Sequence, residues 1–257
     1  MSEIVRKSWT REELILAINL YCKTPFGKIH IKNPEIIYLA KKLKRTPGAV
    51  SYKLANFASI DPSLDRKGAS HSSRLDREVW NEFLENWEAM SFKSEMSMVD
   101  LIGKKIDFDL NEDIRGETKE AVVKKRINQR FFRKMILSAY NNTCCITGIH
   151  IPDLLIASHI IPWSANKKNR INPRNGLCLN ALHDRAFDKG IITISKNFRV
   201  LISPLLYQSD SLYKQHELLV NYSNRKIMLP NRFLPDQSFL DFHRKYVFLN
   251  KNYEVSQ

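Results

Sequence analysis

Between Thr10 and Phe57 the apolar positions recur at helical spacing, and each run is opened by residues suited to the start of a helix. Thr10-Arg11-Glu12-Glu13 has the form of a capping box, in which a hydroxyl and a carboxylate three residues apart satisfy the first free amides. Leu14, Ile15, Ala17 and Ile18 follow on one face. Asn33-Pro34-Glu35 sets an amide cap before a proline at the first helical position and predicts a helix through Lys44. Thr46-Pro47 repeats the device and predicts a second helix from Gly48 to about Phe57. The tight Lys44-Arg45-Thr46 connection gives the pair the proportions of a helix-turn-helix. In its second helix Val50, Leu54 and Phe57 are expected to pack inward, leaving Ser51, Tyr52, Lys53 and Asn56 exposed to contact DNA. The alternative is a helical bundle that merely docks on a partner. Arg66 to Ser73, small, polar and basic, reads as a wing or a plain loop, and Leu75, Val79, Phe83 and Trp87 mark another amphipathic helix ending near Met90.

Residues 91–114 turn acidic and contain two serine-methionine repeats, which predicts a linker between a domain over 1–90 and another over 115–257. From Glu117 to Tyr140 the helical period returns. Val122, Val123, Ile127, Phe131, Met135 and Ile136 form its apolar stripe, with Lys119, Lys124, Lys125, Arg126, Arg130, Arg133 and Lys134 around the rest. Cys144 to Gly148 then predicts a turn, Leu154 to Ala157 a short strand ending at Ser158-His159, and Leu177-Cys178-Leu179 a returning strand after an Asn175-Gly176 hairpin-turn signal. Asn180 is placed to cap a helix containing His183, Asp184, Phe187 and Asp188, ended by Gly190. The class is therefore α+β: a helical, winged helix-turn-helix-like domain followed by a ββα unit.

Composition narrows the function. Hydrophobic residues make up 43% of the 257, enough for packed cores, and no apolar run approaches the roughly 18 residues of a membrane span. Four cysteines are too few for a disulfide scaffold, so the expected setting is soluble and cytoplasmic. Lys and Arg number 41 against 27 Asp and Glu, a net +14. The surplus is concentrated: residues 115–200 hold 16 basic and 5 acidic groups, +11, whereas residues 1–90 hold 15 and 11, +4. Clustered cations suit a polyanion, because each neutralised phosphate releases condensed counterions. The predicted strand, loop, strand and helix bring His159, Asn175 and His183 into one small unit beside Lys167, Lys168, Arg170 and Arg174.

The run CCITG, ASHIIPW and NPRNGLCLNALHDRAFDKGIITI resembles the HNH nucleases of ββα-metal fold, in particular a branch of restriction endonucleases without zinc-binding cysteines. RINQRFFRKMILSAYNN upstream and Phe239 to Arg244 downstream are similar to that branch too, so the resemblance spans about residues 115–250. It implies a metal-dependent endonuclease hydrolysing DNA phosphodiesters to 5′-phosphate and 3′-hydroxyl ends, in a restriction role that includes modification-dependent cutting, for example at methylated cytosine. His159 would be the general base, with Asn175 holding the loop and orienting it, and His183 a metal ligand. Lys167, Lys168, Arg170 and Arg174 would grip phosphates, with Arg130 and Arg133 on the preceding helix. The family commonly has Asp or His before the general base; here it is Ser158, which leaves the ligand set to His183 with Ser158, Asp188 or Asp153, backbone oxygen and water. One Mg²⁺ or Mn²⁺ per active site is expected. Cys144 and Cys145 are adjacent and paired Cys-x-x-Cys spacing is absent, so no structural zinc is expected. Double-stranded DNA is the expected partner, no membrane is, and a homodimer would supply two active sites for two strands. The rival readings are a DNA-binding regulator with a decayed site and a nuclease acting on RNA or branched DNA.

Overall fold

The capping residues of the first helices fold as their sequence dictates. Thr10 and Glu13 exchange side-chain and backbone hydrogen bonds at the start of α1 (Arg11–Lys23). Asn33 caps α2 (Pro34–Lys42), and Thr46 caps α3 (Pro47–Ile60) after a turn in which Lys44 takes a positive φ of 54°. The computed structural model describes residues 7–62, 64, 71–103, 118–207 and 216–250. It divides into two units, Met1–Phe131 and Phe132–Gln257. Helices alone make up the described part of the first, and the second adds two small antiparallel sheets, so the chain is of mixed α+β class. Residues 66–70, most of the candidate wing, lie outside the described residues.

In the first unit, Tyr21, Phe57 and Trp80 meet at ring-centroid distances of 5.6 to 6.2 Å, joining α1, α3 and α4 (Arg74–Glu85). α3 is enclosed more completely than a one-sided amphipathic pattern implies. Val50, Leu54 and Phe57 are buried as expected, but so are Lys53 and Asn56. The Lys53 ammonium bonds both carboxylate oxygens of Asp76 at 2.8 and 2.9 Å, and Asp76 also closes the Ser73 capping box of α4. Expected exposure of Lys53 and Asn56 is thus corrected: α4 covers that side. Of the four residues expected to read DNA, Tyr52 is exposed and Ser51 half-buried.

The helix expected to end near Met90 is two helices. Asn86 leaves helical geometry (φ −145°, ψ 73°), and its side chain accepts the Ala89 N–H to start α5 (Trp87–Ile102). α5 packs on α1, with Asn19 donating to Ser94 Oγ at 2.8 Å. Residues 91–102, read from sequence as linker, are therefore helix, and 104–114 lie outside the described residues. Within this stretch Ser91 and Ser94 are buried, hydrogen-bonded contacts.

α6 (Lys119–Ala139) carries the predicted apolar stripe, with Ile127, Phe131, Met135 and Ile136 buried. In the second unit β1 (Leu155–His159) pairs antiparallel with β2 (Gly176–Asn180), in the register Leu155 to Asn180 and His159 to Gly176. α7 (Ala181–Asp188) follows at once and packs on both strands. β3 (Ile192–Ile194) and β4 (Val200–Ile202) form a second hairpin, then come α8 (Glu217–Val220) and α9 (Gln237–Tyr246). Asn175-Gly176 makes no tight hairpin turn. Gly176 has an extended φ of −130°, and glycine is required there because a Cβ would stand 2.4 Å from Ile136 Cδ1 and 2.9 Å from Phe132 Cζ. No helix among the described residues is long and apolar enough to cross a membrane.

His243 of α9 locks this unit. Its ring stacks on Phe187 with centroids 3.7 Å apart, Nε2–H donates to the Phe187 carbonyl, and Nδ1 accepts from Thr193 Oγ1 at 2.8 Å. Burial pushes its pKa down to about 4, while the Phe187 carbonyl pulls weakly the other way. The unfolded chain therefore takes up a proton near pH 6.5 that the folded chain refuses until about pH 4. Its contribution is complete above pH 6.5 and disappears as pH falls to 4, at about 1.4 kcal/mol per pH unit. Denaturant unfolding measured across that window should show a wild-type slope steeper than that of His243→Gln by about this amount.

Candidate active site

The loop between β1 and β2, residues 160–175, is longer than a tight turn, and its buried backbone groups need partners. Asn175 supplies them. Its Oδ1 accepts from Ile161 N at 2.8 Å, and its Nδ2 donates to the Ile161 and Asn169 carbonyls at 3.2 and 3.1 Å. Its own carbonyl accepts from Ile160 N. Asn175 thus ties both ends of the loop together, and it reaches His159 through that loop rather than by a direct bond.

The loop so held presents the Arg170 carbonyl to His159 Nε2 at 2.8 Å. A carbonyl only accepts, so Nε2 carries the proton and Nδ1 keeps its lone pair. Phe132 stacks on one side of the ring with centroids 4.2 Å apart and nearly parallel planes, and Trp163 meets it edge-on at 5.4 Å. Burial holds the His159 pKa below its ordinary value despite the Arg170 carbonyl, which acts upward. The imidazole is therefore neutral at neutral pH, as a base must be before it takes a proton.

His183 lies in the first turn of α7 and is 2% exposed. Asn180 Oδ1 accepts from the His183 backbone N–H at 3.0 Å and stands 3.0 Å from His183 Nδ1. Tyr222 packs edge-on at 5.2 Å. His183 Nε2 is buried and has no hydrogen-bond partner. Burial lowers its pKa also, which favours the neutral ring.

Ser158 is buried, and its Oγ makes no hydrogen bond of normal geometry. It lies near Asp184, whose carboxyl is raised by burial and drawn back by that hydroxyl. Asp188 is exposed at the far end of α7, raised by partial desolvation and by the Asp184 carboxylate. Five residues along a helix is about 140° around its axis, so Asp188 is not brought onto the His183 face. Among the described residues no group of three or more His, Cys, Asp or Glu is clustered closely enough to hold a metal ion. His183 Nε2 fits a divalent cation as one protein nitrogen, the rest of its shell left to water and phosphate oxygens. All four cysteines are free and buried. Burial pushes Cys178 up to about 12, so it is a thiol and no nucleophile.

The expected phosphate-binding cations divide. Lys167, Lys168 and Arg130 are exposed. Arg133 donates to the Leu155 and Pro152 carbonyls at 2.6 and 3.1 Å and so anchors the start of β1. Arg170 stacks over Trp163 and donates to its carbonyl, while Arg174 pairs with Asp236 at 3.1 Å. For these three arginines the role visible in the fold is to hold the loop and its neighbours. Sequence reasoning missed the Arg170 carbonyl, Phe132, Trp163 and Tyr222 as neighbours of the two histidines. None carries a local signal, since each meets its histidine through folding.

Residues 144–195 match the family model described as HNH endonuclease, so the resemblance holds over that segment. Among solved structures, the chain is similar to a modification-dependent TagI restriction endonuclease, 19% identical, with a TM-score of 0.33. The match covers 49% of this chain and 40% of that one. No curated protein matches.

Removing the loop clamp tests this account of the site. Asn175→Ala leaves a buried N–H and two carbonyls unpaired and is expected to lower the unfolding free energy by about 1 to 3 kcal/mol, measured by denaturant titration. Unchanged stability would mean the loop is held by other bonds.

Proposed function

With residues 144–195 taken as an HNH module, we propose that the chain is a metal-dependent endonuclease that cuts double-stranded DNA, in a restriction role. The observation that carries this reading is the complementary bonding of two histidines: an acceptor faces His159 Nε2 and another faces His183 Nδ1, which assigns the protons there and leaves each ring one nitrogen with a lone pair. His159 Nδ1 takes a proton from water as its oxygen bonds to phosphorus, and the bond from phosphorus to the 3′ oxygen breaks. That oxygen gains a proton from solvent, leaving a 5′-phosphate and a 3′-hydroxyl. His183 Nε2 would hold the divalent cation, Mg²⁺ or Mn²⁺, whose charge stabilises the phosphate as negative charge builds on it. Asn175 and the Arg170 carbonyl hold the base in place, and exposed Lys167 and Lys168 in the same loop attract the backbone.

In the first unit the helix-turn-helix reading moves to different residues. With Lys53 and Asn56 buried, exposed Tyr52 and half-buried Ser51 remain on α3, joined as candidates by exposed Lys41, Lys42 and Lys44 on α2 and the turn. Cutting both strands calls for two sites or two binding events, and a homodimer would supply them. Ser158 favours a second reading, a DNA-binding regulator that does not cut, because a serine hydroxyl, a poor ligand, stands where the family commonly has Asp or His.

Two measurements separate these readings. Purified protein with Mg²⁺ or Mn²⁺ should nick or linearise plasmid, stop on addition of chelator, and lose about 10² to 10⁴ of its rate in His159→Ala with the fold intact. A panel of unmodified, methylated and hydroxymethylated plasmids shows whether modified bases are required. If no plasmid is cut while DNA is still bound, the regulator reading stands; if His159→Ala cuts like the wild type, His159 is not the base. Lys167→Ala and Lys168→Ala should each weaken binding alike across sequences and reduce the slope of log K against log salt by about 1.

A further inference from the structure

The buried nitrogen of His183 is useful to a cation only if its lone pair stays there, and one side chain decides that. The Asn180 amide lies against the His183 backbone N–H, which can only donate, so the atom facing it at 3.0 Å must be the amide oxygen. The same oxygen stands 3.0 Å from His183 Nδ1. It cannot donate, so Nδ1 must carry the ring proton. Nε2 is then left as an acceptor, buried and without a protein partner. Asn180 is itself fixed from a distant part of the chain. With the amide oriented by the His183 N–H, its Nδ2 donates to Thr147 Oγ1 at 3.2 Å. Its backbone N–H donates to Cys144 Sγ at 3.3 Å.

We propose that Asn180 is a positioning residue that sets the tautomer of His183 through its side-chain oxygen, and that Cys144 and Thr147 of the turn before β1 hold Asn180 for that task. The inference rests on the reading of His183 as a metal ligand. It gives the 144–148 turn a use without zinc: the turn orients the amide that orients the ligand. Outer partners of metal-binding histidines commonly act this way, and their removal weakens metal binding by about 10- to 100-fold. Asn180 also caps α7, so the test must separate the cap from the ring contact.

Asn180→Ser does so, because a serine hydroxyl caps a helix well but is too short to reach the ring as well. Asn180→Asp keeps an oxygen for both bonds. The readouts are the ¹⁵N shifts of the His183 imidazole in metal-free protein and the affinity for Mn²⁺ by calorimetry, with melting temperature to confirm that the cap survives. Wild type and Asn180→Asp should show the Nδ1–H tautomer and Mn²⁺ affinities within about 3-fold of each other. Asn180→Ser should show mixed tautomers and a loss of about 10- to 100-fold with little change in melting. Wild-type tautomer and affinity in Asn180→Ser overturn the inference, as does an Asn180→Asp protein as weak as Asn180→Ser. If His183→Ala binds Mn²⁺ as tightly as the wild type, the ligand reading itself fails and takes the inference with it.

Discussion

The second unit depends on how one buried amide resolves a backbone problem. A loop of 16 residues between two five-residue strands carries N–H and C=O groups out of the β1–β2 ladder and partly into the interior, where each unpaired group costs about 1 to 3 kcal/mol. The Asn175 side chain pairs with groups at Ile161 and Asn169 together, so both ends of the loop become one piece. With the loop closed in this way, the Arg170 carbonyl stands where His159 needs an acceptor. Gly176, next in the chain, lets β2 run against Ile136 and Phe132 with no side chain in between, and Phe132 in turn supplies the surface on which His159 stacks. A clamp, a glycine and one aromatic ring thus determine where a single imidazole lone pair is found.

The second histidine is controlled by the same principle with different atoms. An amide oxygen replaces the carbonyl, Nδ1 replaces Nε2, and the free nitrogen is the opposite one. In both cases burial keeps the ring neutral and an obligate acceptor chooses its tautomer. His243 shows what the same burial does when both ring nitrogens are satisfied within the fold: it becomes a lock between α9, α7 and β3, with no nitrogen left over for chemistry.

Charge was a coarser guide than position. The +11 of residues 115–200 does surround the two histidines in sequence, but Arg133, Arg170 and Arg174 bond to carbonyls or to Asp236 in the fold. An arginine fork satisfies loop carbonyls as readily as phosphate oxygens, and counting cations cannot tell the two uses apart. Lys53 gives the same lesson in the first unit, where a cation on a helix expected to face DNA lies under α4 in a bond to Asp76. Lys167, Lys168 and Arg130, with Lys41, Lys42 and Lys44 in the first unit, are among the described cations that keep the exposure a role on a polyanion requires.

What could be read from the sequence alone was whatever depends on neighbours within a helical turn or a strand. Thr10 with Glu13, Asn33 with Pro34, Thr46 with Pro47 and Asn180 before His183 are local devices, and each appears in the fold where its spacing put it. The short strand ending at Ser158-His159 and the stripe on α6 were legible for the same reason, and so was the likeness of residues 144–195 to HNH endonucleases. Asn86 was missed as a boundary because a single asparagine between two helical stretches breaks no period; only its backbone angles show the break. Which faces are covered, which arginines are engaged, and which carbonyl, hydroxyl or ring meets each histidine were decided by tertiary structure alone. Those contacts join residues far apart in the chain, and no local spacing encodes them: Phe132 and Arg170 meet at His159, and Thr147 and Tyr222 at Asn180 and His183.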